Sequence, residues 1–361
     1  MKKLLLIFNH VILSSRTFCH CERKRNNLVS ENVRDKLRRR ISFLRCFTSF
    51  SMTLCVIFNC LYSIDTGADF LKFGIGARPS AMGECAVALY SDIFATYWNP
   101  AGLSKIEKRE FGIMHGKTVM DASLEFLGFA YPTKKSGTFG ISSIFFIPEP
   151  VPVTTTDENT EGELNWLDWA LALSYGKDLQ KIAKNLSTGG SFKLIQRRER
   201  NPFFRSKGTA YAVDIGFIYR LSITEPFLTW TEEKLSFGIS ILNLGSKIKM
   251  SGETTKDDLP RTLKMGCGYK MDLSKETHLT LVCDINKLLS ERLYFGTGIE
   301  TKFRKTIAVR AGYLTKEGNI KGVTYGFGLE FKNYQIDYSN VPASEMIGFE
   351  RDNRFSFIIR F

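Results

Sequence analysis

Histidine and cysteine are the residues of this chain that could hold a metal, and their spacing does not favour a site. Cys19 and Cys21 flank His20 in a Cys-x-Cys pattern, and no second group of ligands accompanies them. His115 and His278 stand alone in segments of alternating hydrophobicity. A metal centre needs several such side chains held together. The sequence therefore predicts no metal site.

Motifs for nucleophilic or phosphate chemistry are also missing. The chain has no HExxH, no nucleophile elbow and no complete GxxxxGK[ST] loop. Gly74-Ile75-Gly76 resembles part of a dinucleotide loop, but no strand precedes it and Pro79 stands where the helix would begin. Acid pairs such as Asp257-Asp258 lie in polar segments, where we expect them to be solvated. The sequence predicts a protein that is not an enzyme and has no cofactor.

The net charge of +13 is concentrated at the amino terminus. Residues 1–63 hold 12 Lys/Arg and 3 Asp/Glu, whereas the remainder holds 38 and 34. A basic leader followed by a nearly balanced body does not form the clustered basic face of a nucleic-acid reader. We therefore expect no nucleic-acid partner.

Two apolar runs, 1–13 and 41–63, compete for the role of export signal. The second has Arg45 as its cation, an apolar core from Met52 and the small residue Ser63 at the cut, which fits a secretory signal. The same run is long enough to be an inner-membrane anchor, which is the alternative. We predict that residues 1–63 are a presequence and that the true start lies near Met52.

From residue 110 onward, apolar and polar side chains alternate. Tyr211, Val213, Ile215 and Phe217 share one face of such a segment, and Asp214 lies on the other. This period of two is typical of β-strands. Fourteen segments follow it: 110–119, 123–133, 136–147, 164–177, 187–200, 208–221, 235–247, 262–271, 276–286, 292–303, 306–315, 321–332, 333–340 and 352–361.

Two architectures produce this pattern: a soluble β-sandwich and a membrane barrel. The polar face is rich in glycine and carries charges such as Asp168, Asp284 and Arg310, which suits a polar lumen. Aromatic residues such as Tyr175 and Tyr219 recur near strand ends, where an interfacial girdle would lie. The sequence predicts an all-β fold, a 14-stranded antiparallel transmembrane β-barrel over residues 110–361, placed in outer-membrane lipid.

The carboxyl-terminal strand carries a second signal. Phe357, Ile359 and Phe361 alternate on one face up to the last residue. This end resembles the strand that bacterial outer-membrane barrels present to their barrel-assembly machinery. Connections alternate between short turns and longer polar loops, and the loop 148–163 is expected to be extracellular.

Residues 64–109 separate the presequence from the strands and are rich in small side chains. A fourteen-stranded barrel leaves a lumen too wide for side chains alone to fill. We therefore predict that this stretch is a short helical or irregular plug, or hatch, in the lumen.

Two motifs in this stretch carry a family resemblance. Gly76-Ala77-Arg78-Pro79-Ser80-Ala81-Met82-Gly83 and Trp98-Asn99-Pro100-Ala101-Gly102-Leu103 resemble the amino-terminal signature of the PorV/PorQ family of outer-membrane proteins. The second motif is also similar to the hatch of the FadL-type transporters. At Gly83-Glu84-Cys85 the chain departs from the Gly-Gly-Ala usual in the family. The predicted motif residues are Gly76, Arg78, Pro79, Met82, Gly83, Trp98, Asn99, Pro100, Ala101 and Gly102.

The resemblance implies a function in two alternative forms. PorV-like members act in type IX secretion, receiving secreted cargo proteins and passing them to an attachment complex. FadL-like members are channels for hydrophobic small molecules, which would bind in an apolar lumen pocket near Tyr97 and Trp98. The first alternative implies cargo proteins and other type IX components as partners, and the second implies a hydrophobic ligand.

Overall fold

A computed structural model describes residues 66–89, 92–118, 121–154, 160–179, 183–223, 233–288, 293–316, 321–342 and 351–361. The predicted presequence 1–63 and the start near Met52 lie outside this part of the chain. Within it, no helix is long and apolar enough to cross a membrane.

Fifteen antiparallel strands make up the sheet of the described residues, and fourteen of them form a closed barrel. β1 pairs with both β2 and β15, and β3 pairs directly with β5, so β4 lies outside the closed ring. The strands are β1 Glu110–Lys117, β2 Ser123–Thr133, β3 Gly137–Ile147, β4 Val151–Thr154, β5 Thr160–Asp178, β6 Leu186–Arg200, β7 Arg205–Ile223, β8 Glu233–Gly245, β9 Thr262–Asp272, β10 Thr277–Leu288, β11 Leu293–Phe303, β12 Ile307–Thr315, β13 Lys321–Phe331, β14 Tyr334–Pro342 and β15 Arg351–Arg360. The predicted fourteen-stranded fold is confirmed.

The two faces of the barrel differ as the alternation predicts. Tyr211, Ile215 and Phe217 of β7 are exposed on the outside, whereas Ala212 and Asp214 are buried on the inside. The same contrast runs around the barrel, so the outer surface is an apolar band that faces lipid. The soluble sandwich is excluded because the exposed face, and not a buried one, carries the large apolar side chains.

The strand connections divide the barrel into two edges. Short turns join β2 to β3, β9 to β10, β11 to β12 and β13 to β14, and β1 begins and β15 ends at the same edge. In bacterial barrels the short turns face the periplasm and the longer loops face outward. We call these the turn edge and the loop edge.

At the loop edge, one predicted loop has structure of its own. The range 148–163 contains β4 and the first residues of β5, and these strands pair as a hairpin beyond the barrel wall. The alternation of apolar and polar residues is interrupted there by prolines at 148, 150 and 152. Backbone hydrogen bonds therefore pair β4 with β5, and the side-chain pattern does not predict this pairing.

Residues 66–106, here called the lumenal segment, precede β1, and the described part of them, 66–89 and 92–106, contains four short helical turns. These are a 3-10 turn at Asp69–Lys72, helix α1 at Ala77–Ala81, helix α2 at Ala95–Trp98 and a second 3-10 turn at Pro100–Lys105. The segment begins at the loop edge, where the amide of Gly67 donates to the carbonyl of Asp258 over 2.9 Å. It reaches β1 at the turn edge, where Arg109 and Phe361 exchange backbone hydrogen bonds. The segment therefore runs along the lumen from one edge to the other.

The apolar core lies between the lumenal segment and the inner faces of β1, β2 and β15. Phe94 and Phe126 have ring centroids 4.9 Å apart, and Trp98, Met114 and Ile358 are buried beside them. The outer apolar face of the barrel contacts lipid. The inner core is a separate apolar cluster, and its burial holds the lumenal segment to the barrel wall.

Candidate functional site

The inner faces of the strands carry glycine where the lumenal segment lies against them. A methyl group on Gly189 would stand 2.5 Å from the oxygen of Pro100 and the nitrogen of Ala101, and one on Gly298 would stand 2.6 Å from the oxygen of Met82. Other strand glycines that lie against its backbone are Gly176, Gly238, Gly296 and Gly312, and those that lie against its side chains are Gly112, Gly140, Gly216 and Gly326. These glycines therefore form a groove that fits the backbone of the segment.

Asn99 ties the segment to the wall on the side of β7. Its side-chain amide donates to the carbonyl oxygens of Val87, over 2.8 Å, and of Phe217, over 3.2 Å. Its side-chain oxygen accepts from the amide of Ala101 and its backbone oxygen from that of Gly102, which begins the second 3-10 turn. All the hydrogen-bonding groups of this buried side chain are used within the protein.

Trp98 is held in the same way. Its indole Nε1 donates to the oxygen of Ile75 over 2.7 Å, and its backbone oxygen accepts from Ser240 over 3.0 Å. The ammonium of Lys264 lies 4.7 Å from the centre of its ring, within the range of a cation–π contact. Trp98 therefore joins two parts of the lumenal segment to β8 and β9.

Arg78 belongs to a buried network that we call the deep ion-pair cluster: Arg78, Glu300, Arg310 and Asp337. Arg78 donates twice to Glu300, over 2.8 and 2.7 Å. Arg310 joins Glu300 over 2.6 Å and Asp337 over 2.7 Å. Burial lowers the pKa of Arg78, but the charge of Glu300 has the opposite effect and the net pKa is raised. The guanidinium therefore stays charged inside the barrel.

The turn that departs from the family pattern has a structural role. Glu84 adopts a positive φ of 57°, and its carboxylate lies 3.3 Å from the ammonium of Lys316 and 3.8 Å from the guanidinium of Arg354. Burial raises the pKa of Glu84, and these cations lower it by more, so the net pKa lies below the ordinary value. Glu84 therefore forms ion pairs at a position where the family pattern has a small residue.

The remaining motif residues shape the backbone. Gly76 and Gly83 have positive φ values of 91° and 67°, which favour glycine. The amide of Gly76 points to the sulfur of Met114 over 2.9 Å, and that of Gly83 donates to the hydroxyl of Thr324 over 3.0 Å. The oxygen of Pro79 accepts two amides at the end of α1. The motif residues that the sequence singled out lie along one continuous contact with the wall.

The space beside Trp98 is small. A cavity of about 20 Å³ lies there, lined by Arg78, Pro79, Ala86, Leu89, Asp92, Phe94, Ala95 and Trp98. This volume is that of about one water molecule. Among the described residues, this space beside Trp98 is therefore too small for the hydrophobic ligand expected near Tyr97 and Trp98.

A much larger cavity, of about 750 Å³, lies at the turn edge. It is bounded by residues 105–108, which lead from the lumenal segment into β1, and by the inner faces of β8 to β15, with Arg78 and Arg310 among its lining residues. It extends to the turns at Lys305 and Lys332. Because the turn edge faces the periplasm, we call it the periplasmic basin.

The predicted assembly-signal residues lie on the outer face of β15. Phe357 stacks on Tyr334 with ring centroids 6.2 Å apart, and Phe361 lies 6.3 Å from Phe129 across the barrel seam. Ile359 is registered opposite Phe111 of β1. All three residues therefore lie close to the pairing of β15 with β1 that closes the barrel.

The two histidines that the structure describes each contact one carboxylate. His115 contacts Glu125 over 2.6 Å on an exposed surface, and His278 contacts Asp272. Among the described residues, no group of three or more His, Cys, Asp or Glu side chains is arranged to hold a metal ion.

Among the strand residues that hold the segment, the sequence predicts the lumenal position of some and does not single out Glu300. Arg310 and Asp284 were expected on the lumen face, and both are buried there, with Asp284 accepting the amides of Ala86 and Val87. Glu300 was not singled out. Its inward position on β11 follows from the alternation, but its partner Arg78 lies 222 residues away.

Comparison with known proteins adds the family. A family model described as "Type IX secretion system protein PorV" matches residues 60–292, more than half of the chain. A search of curated proteins found no match.

Two solved structures share the barrel fold. The toluene transporter TbuX of Ralstonia pickettii has 12% sequence identity and a TM-score of 0.50, with 80% of this chain and 98% of that chain covered. The CymD monoaromatic hydrocarbon channel has 12% identity and a TM-score of 0.51 at the same coverage. At this identity the likeness shows the barrel fold alone.

Proposed function

Because the chain belongs to the PorV family of type IX secretion system proteins, we propose that it assists this secretion route by binding secreted cargo proteins and passing them on for attachment. The protein lies in the bacterial outer membrane, and its relatives act in secretion or transport. In this proposal it is a non-enzymatic barrel that works by protein–protein contact, and its partners are cargo proteins and other components of the same system.

One observation supports the proposal beyond family membership: the lumenal segment occupies the lumen of the barrel. The lumenal segment is seated in the glycine groove and held by the deep ion-pair cluster, with a cavity of only about 20 Å³ beside Trp98. A barrel closed in this way offers its rims and loops for binding and no ready path for a solute. This favours a role as a binding partner over a role as a channel.

The parts of the chain have the following roles in this proposal. Residues 1–63 are a presequence, residues 64–109 are a plug that closes the lumen, and residues 110–361 are the barrel. The motifs at Gly76–Gly83 and Trp98–Gly102 act as hatch architecture, because Gly83, Asn99 and the backbone oxygen of Trp98 are hydrogen-bonded to the strands of the wall. Phe357, Ile359 and Phe361 are the signal for barrel assembly.

The test is surface display of a cargo protein. We expect that deleting the gene abolishes surface display of a reporter that carries a type IX carboxyl-terminal signal domain, and that the wild-type gene restores it. An unrelated outer-membrane barrel, measured in the same membranes, controls for general assembly. Unchanged display in the deletion strain, with that control at its normal level, would contradict the proposal.

The second candidate is a channel for hydrophobic small molecules. An apolar hollow of about 580 Å³ on the outer wall favours it, lined by aromatic residues that include Phe129, Tyr131, Phe139 and Phe192. The two solved structures named above are described as a toluene transporter and a monoaromatic hydrocarbon channel. However, neighbouring strands pair continuously along this wall, from β2 through β3 and β5 to β7.

Uptake separates the two candidates. The channel predicts that the deletion strain takes up radiolabelled toluene more slowly than wild type, with cargo display unaffected. The secretion role predicts the reverse: toluene uptake at the wild-type rate and loss of display.

A further inference from the structure

The periplasmic basin has a role in neither candidate function, and its charge is unbalanced. Among the described residues, its lining includes ten Lys/Arg and six Asp/Glu side chains, an excess of four positive charges, of which Lys105 pairs with Asp178 outside the lining. The cationic residues are Arg78, Lys105, Lys108, Lys234, Lys270, Lys302, Lys305, Arg310, Lys332 and Arg360. The acidic residues are Glu107, Glu110, Asp272, Glu300, Glu330 and Asp337. A concave site lined mainly by one sign of charge concentrates ligands of the other sign.

The acidic side chains at the floor are already engaged. Glu300 and Asp337 accept from arginines of the deep ion-pair cluster. Glu110 accepts from Arg360 over 2.8 Å, and Glu330 accepts from Arg360 over 3.1 Å. These carboxylates neutralise the arginines and are not available to neutralise the lysines at the rim.

The lysines at the rim of the basin differ from these paired arginines. Lys234, Lys305 and Lys332 are exposed, and no carboxylate of the described residues lies within 4.0 Å of any of their ammonium groups. They stand on three different parts of the basin: the start of β8, the turn before β12 and the turn before β14. All three lysines therefore lie at the periplasmic opening without a carboxylate partner among the described residues, and the ammonium of Lys332 lies 5.3 Å from the centre of the exposed Phe331 ring.

We propose that the periplasmic basin binds an acidic peptide segment of a periplasmic partner protein. Its volume of about 750 Å³ lies within the range of ligand sites, about 300–1,000 Å³. The available cations are lysines, which act as point charges and tolerate varied carboxylate positions. The arginines Arg78, Arg310 and Arg360, whose forked geometry suits phosphate, are bonded to carboxylates. An acidic peptide therefore fits the site better than a phosphate group.

This inference goes beyond the proposed function and does not rest on it, because the site faces the periplasm and cargo display is read at the cell surface. The two are also measured separately: one by peptide binding to purified protein, the other by display in cells. Failure of either leaves the result of the other standing.

The experiment uses the full chain in detergent micelles with fluorescein-labelled hexaglutamate as the probe. We expect saturable binding by fluorescence anisotropy, weakening as salt rises because exposed charges are screened. Hexalysine with the same label should not bind. The triple variant K234S/K305S/K332S should bind hexaglutamate about tenfold more weakly.

The matched control is K249S/K256S/K321S, which removes three exposed lysines at the loop edge and the same net charge. It should keep hexaglutamate affinity within about twofold of wild type. Heat-modifiable migration on a gel verifies that both variants are folded barrels. Equal weakening by the two triples, no binding by the wild type, or displacement of the peptide by inorganic phosphate at lower concentration than by unlabelled hexaglutamate would overturn the proposal.

Discussion

Glu300 illustrates how single residues hold the lumenal segment in place. Its carboxylate bridges Arg78 of the segment and Arg310 of β12, and Glu300 and Arg310 are 4% and 3% exposed at their side chains. A buried carboxylate with two cationic partners cannot be removed without leaving charges uncompensated. The residue therefore couples the segment to the wall through charge as well as packing.

We predict that Glu300→Gln destabilises the barrel by about 3–5 kcal/mol, since both arginines lose their ionic partner in a buried site. The matched control is Glu276→Gln, whose partner Arg304 lies on the exposed turn edge at 2.9 Å. That change should cost at most about 1 kcal/mol. Urea titration of the purified barrel, followed by tryptophan fluorescence, measures both. Equal effects of the two substitutions would show that burial of the cluster contributes nothing.

Glu84 predicts a pH dependence. Its pKa in the folded protein lies below the ordinary value of 4.5, because Lys316 and Arg354 outweigh the effect of burial. Its stabilising contribution is therefore complete above the ordinary value and is lost as pH falls through the lower, folded value. We expect wild type to lose stability between about pH 5 and pH 3 more steeply than Glu84→Gln.

Urea midpoints of wild type and Glu84→Gln, measured across that interval, test this expectation. Glu107→Gln is the control, since Glu107 is exposed at the start of the barrel and should leave the pH profile unchanged. Parallel pH profiles for wild type and Glu84→Gln would contradict the assigned ion pair.

At the scale of elements, the lumenal segment and the strands fit because the strands lack side chains where the segment lies. The second 3-10 turn, Pro100–Lys105, packs on Gly176 and Gly189, while α1 packs on Gly326. Close approach of two backbones leaves no room for a Cβ atom. The glycines of the inner face therefore serve the packing of the segment and do not only make the lumen polar.

Neighbouring glycines of β6 give a sharp test of this fit. A methyl group on Gly189 would press on the backbone of Pro100 and Ala101, whereas one on Gly190 has its nearest neighbour at 3.4 Å. We expect Gly189→Ala to destabilise the barrel by about 1–3 kcal/mol through overpacking, and Gly190→Ala to be close to neutral. The midpoint of heat-modifiable migration compares the two. A neutral Gly189→Ala would show that the segment does not lie against β6.

The last strand is the second element with a testable role. Phe361 is exposed and lies beside Phe129 at the seam, where its backbone bonds to Arg109. We predict that deleting Phe361 lowers the amount of assembled barrel in the outer membrane several-fold, because the terminal aromatic residue is the proposed assembly signal. Barrel that does assemble should have a nearly normal urea midpoint, since little buried surface is lost.

Phe331→Ser provides the comparison, because Phe331 is a similarly exposed aromatic residue at the turn edge that does not end the chain. Its assembled level should stay near that of wild type. Membrane fractionation with immunoblotting measures both variants. Equal losses would assign the effect to aromatic surface in general.

At the scale of the whole molecule, the barrel is a closed ring of strands whose lumen holds the lumenal segment. β1 pairs with β15 over seven residue pairs, which closes the ring of fourteen strands. The lumenal segment spans the ring from loop edge to turn edge. The lumen is therefore divided, with the periplasmic basin remaining below the segment.

We predict that the wild-type barrel conducts poorly in planar lipid bilayers. Its unit conductance should be below about one tenth of that of an open sixteen-stranded porin, because the segment blocks the lumen. A double variant, Glu84→Gln with Glu300→Gln, should conduct more often, since it weakens two of the attachments. Steady large conductance of the wild type would show that the lumenal segment does not block the lumen.

The sequence by itself determined the wall of this protein. Strict alternation along the strands follows from the geometry of the pleated chain, so the fourteen barrel strands and their outward faces could be read from local pattern alone. The motifs around Gly76 and Trp98 likewise marked the lumenal segment. These properties depend on neighbours one or two positions apart, which a sequence displays directly.

Only the tertiary structure decided how the wall and the segment fit. Arg78 meets Glu300 across 222 positions, Lys316 meets Glu84 across 232, and Gly83 meets Thr324 across 241. The direction of the segment through the lumen and the rim of the periplasmic basin are equally non-local. Such contacts arise when barrel closure brings distant strands around one segment, and no period along the chain encodes them.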